Sequence, residues 1–342
     1  MSVRVSDRLR PAIHPTYARL LCARLRQEGF DTTTIFRGTR LRWEQLQLDN
    51  RFISLEQMTR LIRRAIRLTE KPWIGLEVGE ITMASAHGPV GYAAVAAPDV
   101  RQMLETVNRF SPLRLQLMEY FFTETGDDCV LGAREFQDFG DAREYILGTN
   151  LVTFFRLIEA TTAQSLQHVR VYFPFPEPQW AEVYREKLGY PVSFDAPSYQ
   201  VRFPRQVLDL PCVTADPGAY RTAWRECENQ LRQLERGGAL SQRIRNHLLD
   251  CEGAYPTLED MVEQLAMSRR TLIRKLREEG TSWQELLDDV RKELAAWYLL
   301  NTDLPIERVA ESLGYEDTSN FSRTFRRWFG QTPRQMRAVS GG

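Results

Sequence analysis

Residues 318–337 read TSNFSRTFRRWFGQTPRQMR, and the way this stretch is read decides how the remainder of the chain is understood. It carries five arginines and no acid, while Phe321, Phe325 and Trp328 recur at the i, i+4, i+7 spacing of a helix with one apolar stripe. Such a helix can bury its aromatic side and leave Arg323, Arg326 and Arg327 in water. A guanidinium without a local counter-charge suits phosphate, because its planar fork bonds phosphate oxygens and guanine edges in pairs. A surface helix with a solvated basic face satisfies the same pattern, so one such stretch does not choose between the two.

The choice comes from a repeat. TLEDMVEQLAMSRRTLIRKLREEG, Thr257 to Gly280, can be laid on PIERVAESLGYEDTSNFSRTFRRWFG, Pro305 to Gly330. Leu258 falls on Ile306, Leu265 on Leu313, Leu272 on Phe321, Leu276 on Phe325 and Gly280 on Gly330, the offset drifting from 48 to 50 residues. Each copy reads as a short helix, a tight turn at Ala266-Met267 or Gly314-Tyr315, and a second helix opened by a polar cap, Ser268 or Asp317/Thr318. That order is the helix-turn-helix, whose second helix enters the major groove of duplex DNA with its N-terminal residues at base edges.

Charge follows the same division. Residues 268–277 hold five basic residues and no acid, yet residues 238–342 together hold 15 Lys/Arg and 16 Asp/Glu, a net of minus one. Positive charge is concentrated where recognition helices need it, and the acids lie on the supporting helices. Between the copies, SWQELLDDVRKELAAWYLLN (Ser282 to Asn301) is a capped, nearly uninterrupted helical pattern. At about 1.5 Å per residue it spans roughly 28 to 30 Å. Recognition helices held that far apart approach the roughly 34 Å between successive major-groove faces.

At 342 residues the chain suggests two or three domains, each able to bury a core. The formal net charge is zero, so binding to a polyanion must come from local patches. Cys22, Cys129, Cys212, Cys227 and Cys251 are scattered, without a CxxC pair or ligand spacing to a histidine, and read as reduced thiols rather than a metal site or disulfide framework. No cofactor motif stands out. The start, MSVRVSDRLRPAIHP, has no apolar signal core, and no run is long enough to span a bilayer, so a reducing cytoplasm is the expected compartment.

Residues 1–14 read as a loose leader, and residues 15–215 as a mixed α+β domain. Ser54 with Gln57 gives a capping-box start to SLEQMTRLIRRAIRLTE, and Asp99 is an N-cap for a helix through Phe110. LQLMEYFFTET and DCVLGAREF are β-prone runs joined at Gly126-Asp127-Asp128, with further short strands at HVRVYFPF, YPVSFD and YQVRFP. REYILGTNLVTFFRLIEATTA reads as a long apolar helix. Residues 216–237 form a linker helix, capped by Asp216 with Pro217 first, whose seam of Tyr220, Trp224, Cys227 and Leu231 suits either subunit pairing or packing on its own domain. Gly237-Gly238 marks the boundary to an all-α region, 238–342.

The second copy, with Ile306, Val309-Ala310, Leu313-Gly314-Tyr315, Ser319-Asn320-Phe321-Ser322-Arg323, Phe325-Arg326-Arg327, Phe329-Gly330 and Thr332-Pro333, closely resembles the signature of AraC/XylS-type transcription regulators. Residues 20–215 are similar to the arabinose-binding-type N-terminal domain of one branch of that family, through AHGPVGYAAVAAP and the PVSFDAP, VRFP, LDLP and ADP segments. Val262 stands where alanine is usual and Ala266 where glycine is common. The resemblance implies a sequence-specific regulator, usually an activator, that binds double-stranded promoter DNA, works with RNA polymerase and takes a small-molecule effector or a second subunit through its N-terminal domain.

On these grounds Arg269, Arg270, Arg274, Ser319, Asn320 and Arg323 are the candidates for base readout, and Arg277, Arg326, Arg327 and Arg334 for phosphate contact. The aromatic residues Trp283, Trp297, Tyr298, Trp328 and Phe329 fit burial better than contact. His87, Tyr92, Tyr120, Phe122 and Tyr172 are the candidates for an effector pocket, against the alternative that each simply packs the core. Two other classes stay open: an interaction adaptor with degenerate helix-turn-helix units, and a DNA-repair-type enzyme with a DNA-binding tail. The second lacks a reactive cysteine cluster or an activated nucleophile in the sequence.

Overall fold

The structure is a computed structural model that describes residues 5–39, 41–47, 52–235, 240–251 and 253–340. Its contacts separate two compact units, one of Pro11–Glu235 and the other of the described residues within Met1–Arg10 and Arg236–Gly342. A short helix α1 (Val5–Leu9) therefore opens the chain in the second unit, and β1 (Pro11–Ile13) begins the first.

In the first unit β1 pairs antiparallel with β2 (Ile53–Ser54), beside helices α2 (Thr16–Gln27), α3 (Thr32–Phe36), α4 (Trp43–Leu46), α5 (Leu55–Thr69) and α6 (Ile74–Ile81). The capping box read at Ser54 is present: Gln57 N–H donates to Ser54 Oγ at 3.2 Å, and Ser54 N–H to Gln57 Oε1 at 3.0 Å. Next come α7 (Pro89–Ala96), α8 (Val100–Phe110), the hairpin β3 (Met118–Thr125) and β4 (Asp128–Glu135), and the long helix α9 (Arg143–Thr162). Asp99 caps α8, its Oδ1 accepting from Gln102 N–H at 2.8 Å. Then follow β5 (Arg170–Tyr172), α10 (Ala181–Leu188), β6 (Val192–Ser193), β7 (Tyr199–Pro204) and α11 (Pro217–Glu235).

The larger sheet runs β3-β4-β7-β5-β6, with β5 and β6 parallel and the other neighbours antiparallel. Tyr199, Val201 and Phe203 alternate inward along β7, the period-2 pattern of a half-buried strand. Helices α6 and α9 approach until their backbones nearly touch, because Gly75 and Gly79 have no Cβ at the crossing. A Cβ on Gly75 would lie 2.6 Å from the Tyr145 carbonyl oxygen, and one on Gly79 2.6 Å from Val152 Cβ. Thr149 Oγ1 uses that closeness to donate to the Gly75 carbonyl at 2.9 Å.

The seam of α11 is consumed inside its own unit. Cys227 is buried with Val90, Phe110 and Leu113, and Trp224 meets Phe110 edge-on at 4.8 Å between ring centroids. Arg221, Arg225, Glu226, Asn229, Arg232 and Gln233 are exposed, so the outer face is polar. The seam thus packs on its own domain, one of the two uses that its sequence allowed, with Tyr220, Trp224 and Leu231 left partly exposed. The Gly237-Gly238 joint lies outside the described residues.

The second unit is all helix: α12 (Leu240–Asp250), α13 (Leu258–Gln264), α14 (Arg269–Glu278), α15 (Trp283–Asn301), α16 (Ile306–Ser312), α17 (Thr318–Phe329) and α18 (Pro333–Ser340), with α1 packed on α12 and α15. Its axis is α15, which buries Leu286, Leu287, Val290, Leu294 and Leu299 and touches α12, α16, α17 and α18. The leader is not loose throughout. Leu9 is 2% exposed within this core, and Arg10 Nη2 donates to both carboxylate oxygens of Asp250, at 2.6 and 2.8 Å. So short a segment has no periodicity from which that anchoring could be read.

Candidate nucleic-acid interface and effector cavity

Both helix-turn-helix copies form by local chemistry. Thr257 and Asp260 cap α13 reciprocally, Asp260 Oδ2 accepting from Thr257 N–H at 2.7 Å. Ser268 caps α14, its Oγ accepting from Thr271 N–H at 3.1 Å. Asp317 caps α17 through Ser319 N–H at 2.8 Å, and that bond holds its carboxyl below the ordinary aspartate range. Leu272 and Leu276 of α14 are buried at the positions that Phe321 and Phe325 fill in α17. Trp283, Trp297, Tyr298, Trp328 and Phe329 are partly buried against the same core.

This anchoring fixes which sides stay wet. Arg269, Arg270, Arg274 and Arg277 on α14, Ser319, Asn320, Arg323, Arg326 and Arg327 on α17, and Arg334 on α18 are all exposed. Arg269 pairs with Glu259 at 3.0 Å and Arg274 with Glu278 at 3.2 Å, every partner more than half exposed. Such pairs contribute about 0–1 kcal/mol and exchange readily for phosphate. Arg323 Nη2 donates to Asn320 Oδ1 at 2.9 Å, which orients both side chains at the start of α17. Among the described residues, no ion pair engages Arg270, Arg277, Arg326, Arg327 or Arg334. Ile273, 43% exposed on α14, adds an apolar side chain to this face that the charge pattern does not announce. Its one signal in the sequence is an apolar type one residue off the Leu272/Leu276 stripe.

The first unit encloses a cavity of about 470 Å³. His87, Tyr92, Tyr120 and Phe122 line it, while Tyr172 does not. Tyr172 belongs to β5, separated from β3 by β4 and β7, and its ring lies under the Arg202 guanidinium at 5.1 Å. Tyr92 is 57% exposed and Met83 71%, which places both at the mouth. Inside, Tyr17 Oη is 3.2 Å from His87 Nδ1, and Tyr120 Oη donates to Asn150 Oδ1 at 2.9 Å. Burial, aided by the charge of Arg114, lowers the His87 pKa to about 4, so the ring is neutral. Which of Tyr17 Oη and His87 Nδ1 donates in this contact follows the tautomer of the ring.

Two buried groups on the lining residues, His87 Nε2 and Thr153 Oγ1, have no hydrogen-bond partner. Each such group costs about 1–3 kcal/mol, which a bound ligand can offset. Tyr17, Arg114, Asn150 and Thr153 went unnoticed in the sequence because they come from α2, the segment before β3, and α9, and share no local motif.

The family model described as the arabinose-binding domain of AraC transcription regulators matches residues 29–212, and a helix-turn-helix domain model matches residues 261–338. The ornithine utilization regulator of Pseudomonas aeruginosa is 32% identical over 94% of this chain and 95% of its own. This chain belongs to the AraC-type transcription regulators. An HTH-type transcriptional regulator of Mycobacterium tuberculosis is 29% identical over 94% of this chain and 95% of its own. The crystal structure of the transcriptional regulator CdpR from Pseudomonas aeruginosa aligns at 25% identity over 94% of this chain and 98% of that one, with a TM-score of 0.49.

As an AraC-type regulator the chain combines an N-terminal ligand-binding domain with a helix-turn-helix DNA-binding domain. Apart from Tyr17, the residues that line the cavity lie within the first matched segment, and both recognition helices lie within the second. Among the described residues, no helix is long and apolar enough to cross a membrane.

Proposed function

We propose that α14 and α17 enter successive major-groove segments of promoter DNA, with Arg269, Arg270, Arg274, Ser319, Asn320 and Arg323 at base edges and Arg277, Arg326, Arg327 and Arg334 on phosphates. The observation that carries this reading is the segregation of charge. Arginines crowd the wet faces of α14 and α17, bound there by exposed ion pairs or by none, while every acid but Glu278 at the end of α14 lies outside these two helices. The 19-residue α15 supports the spacing, since its length of roughly 28 Å is close to one turn of the duplex. The protein in this reading is a cytoplasmic, non-enzymatic activator whose effector occupies the cavity of the first unit and whose output is contact with RNA polymerase. The reading includes a homodimer, for which the partly exposed seam of α11 is a candidate surface. Footprinting on promoter fragments tests the reading: protection of two major-groove segments about one turn apart on one face supports it. Salt-sensitive binding without sequence preference refutes it.

A further inference from the structure

We infer that the cavity of the first unit takes a compact, largely apolar monocarboxylate, such as an aliphatic or aryl acid, in preference to a diamino acid or a sugar. This deepens the effector assignment above and rests on it. The walls are set by Val90, Leu104, Val107, Leu131, Phe154 and Leu157, which offer apolar contact and no hydrogen bonds from their side chains. A sugar, with hydroxyls all round, would bury most of them against these walls without partners.

The lining also carries a cation and buried polar groups. Arg114 brings a guanidinium to the lining, its Nη2 pressed against Gly88 so closely that a Cβ there would lie 2.1 Å away. His87 Nε2 and the Thr153 hydroxyl are buried on residues of the same lining without partners. A carboxylate supplies acceptors and a negative charge to this set, in the charge-assisted geometry that guanidinium favours.

Ammonium groups are not provided for. Among the described residues lining the cavity the carboxylate is Glu80, which is exposed and already pairs with Lys187 at 3.0 Å. A ligand with two ammonium groups would meet Arg114 and Arg156 instead. Kinship with an ornithine utilization regulator therefore does not carry ornithine to this chain.

The test is thermal shift and calorimetry on the full chain, with octanoate and 3-phenylpropionate as probes and 1-octanol and L-ornithine as controls. Both acids should raise Tm saturably, 1-octanol should bind at least tenfold more weakly than octanoate, and L-ornithine should give no shift. In Arg114→Gln the octanoate advantage over 1-octanol should vanish. Val107→Trp, which fills the cavity, should abolish binding of both while leaving the far-ultraviolet circular dichroism unchanged. Equal binding of octanoate and octanol by the unmodified protein, a response to ornithine alone, or no response to either acid overturns the inference. DNA binding measured in parallel separates the readings, since its retention leaves the regulator standing when the acids fail.

A second observation stands apart from the cavity. The geometry points to Ile273 as a reader of thymine. It is 43% exposed on α14, three residues after Arg270 and four before Arg277, on the same exposed side of the helix as those arginines. The thymine methyl is the apolar mark of the major groove. Mobility shift with deoxyuridine replacing each thymine of the first half-site reads the contact directly. One replacement should weaken the unmodified protein about threefold to tenfold and leave Ile273→Ala indifferent. Equal sensitivity of both proteins at every thymine overturns it.

Discussion

Ala266 and Gly314 occupy the same turn of the two helix-turn-helix copies, and both hold a left-handed backbone, at φ +49° and +72°. A side chain costs roughly 1 kcal/mol in that region, which glycine avoids. Ala266→Gly should therefore stabilise the second unit by up to about 1 kcal/mol, less the greater entropy of the unfolded glycine. Gly314→Ala should do the reverse and more, since its Cβ would sit 2.6 Å from the Gly253 carbonyl oxygen and 3.1 Å from Arg291 Nη2. Denaturant unfolding of the two variants checks both signs. A stabilised Gly314→Ala would contradict the account.

The two classes of arginine should separate on DNA. Arg274→Ala should lose about 1–3 kcal/mol on the cognate site and relax sequence preference. Arg327→Ala should weaken cognate and random DNA alike and reduce the slope of log affinity against log salt by about 1. Titrations over a salt series distinguish them. Matching behaviour of the two variants would remove the division of roles.

Glu77 ties three segments of the first unit. Arg24 donates to its Oε2 from Nε at 3.1 Å and Nη2 at 2.6 Å, Lys71 approaches at 3.4 Å, and Glu28 closes the cluster with Arg24 at 2.8 Å and Lys71 at 2.6 Å. Burial alone would raise the Glu77 pKa, but the bond from Arg24 and the charges of Arg24, Lys71 and Lys187 outweigh it and leave the value below the ordinary glutamate range. A depressed folded value gives stability that is present above the unfolded pKa of about 4.3 and lost as pH falls through the folded one. Glu77→Gln should cost about 2 kcal/mol at pH 7, because Arg24 and Lys71, both partly buried, lose one of their two carboxylates and keep Glu28. It should also flatten the decline of stability below pH 5. Chemical unfolding from pH 3 to pH 7 measures both effects.

How much of this was legible in the sequence depends on the range over which each signal acts. Caps at Ser54, Asp99, Ser268 and Asp317, the β3–β4 hairpin and both recognition helices are local, set within a few residues, and could be read directly. The paired burial of Leu272 with Leu276 and of Phe321 with Phe325 followed from period alone. Tyr172 failed as a cavity residue because strand order, which no local pattern encodes, puts β5 away from β3. Arg114, Asn150 and Thr153 became visible only where α9 and the segment before β3 meet. The seam of α11 was readable as apolar, whereas what it faces depended on Phe110 and Leu113, more than a hundred residues away.

The leader supplies the last prediction, and magnitudes decide which of its two contacts matters. The bidentate pair between Arg10 and Asp250 has side chains 41% and 50% exposed, so solvent and salt hold its contribution within about 1 kcal/mol. Leu9 is 2% exposed among Leu240, Ile244, Leu248 and the residues of α15, and removing its branched end there should cost about 2–4 kcal/mol. Leu9→Ala should therefore lower hydrogen-exchange protection in α12 and α15 strongly, with Arg10→Ala changing it little. High salt should erase the Arg10 effect and leave the Leu9 effect in place, since burial of a hydrocarbon is not screened. A larger loss from Arg10→Ala, or equal salt sensitivity in both variants, would show that the leader is held by charge and not by its leucine.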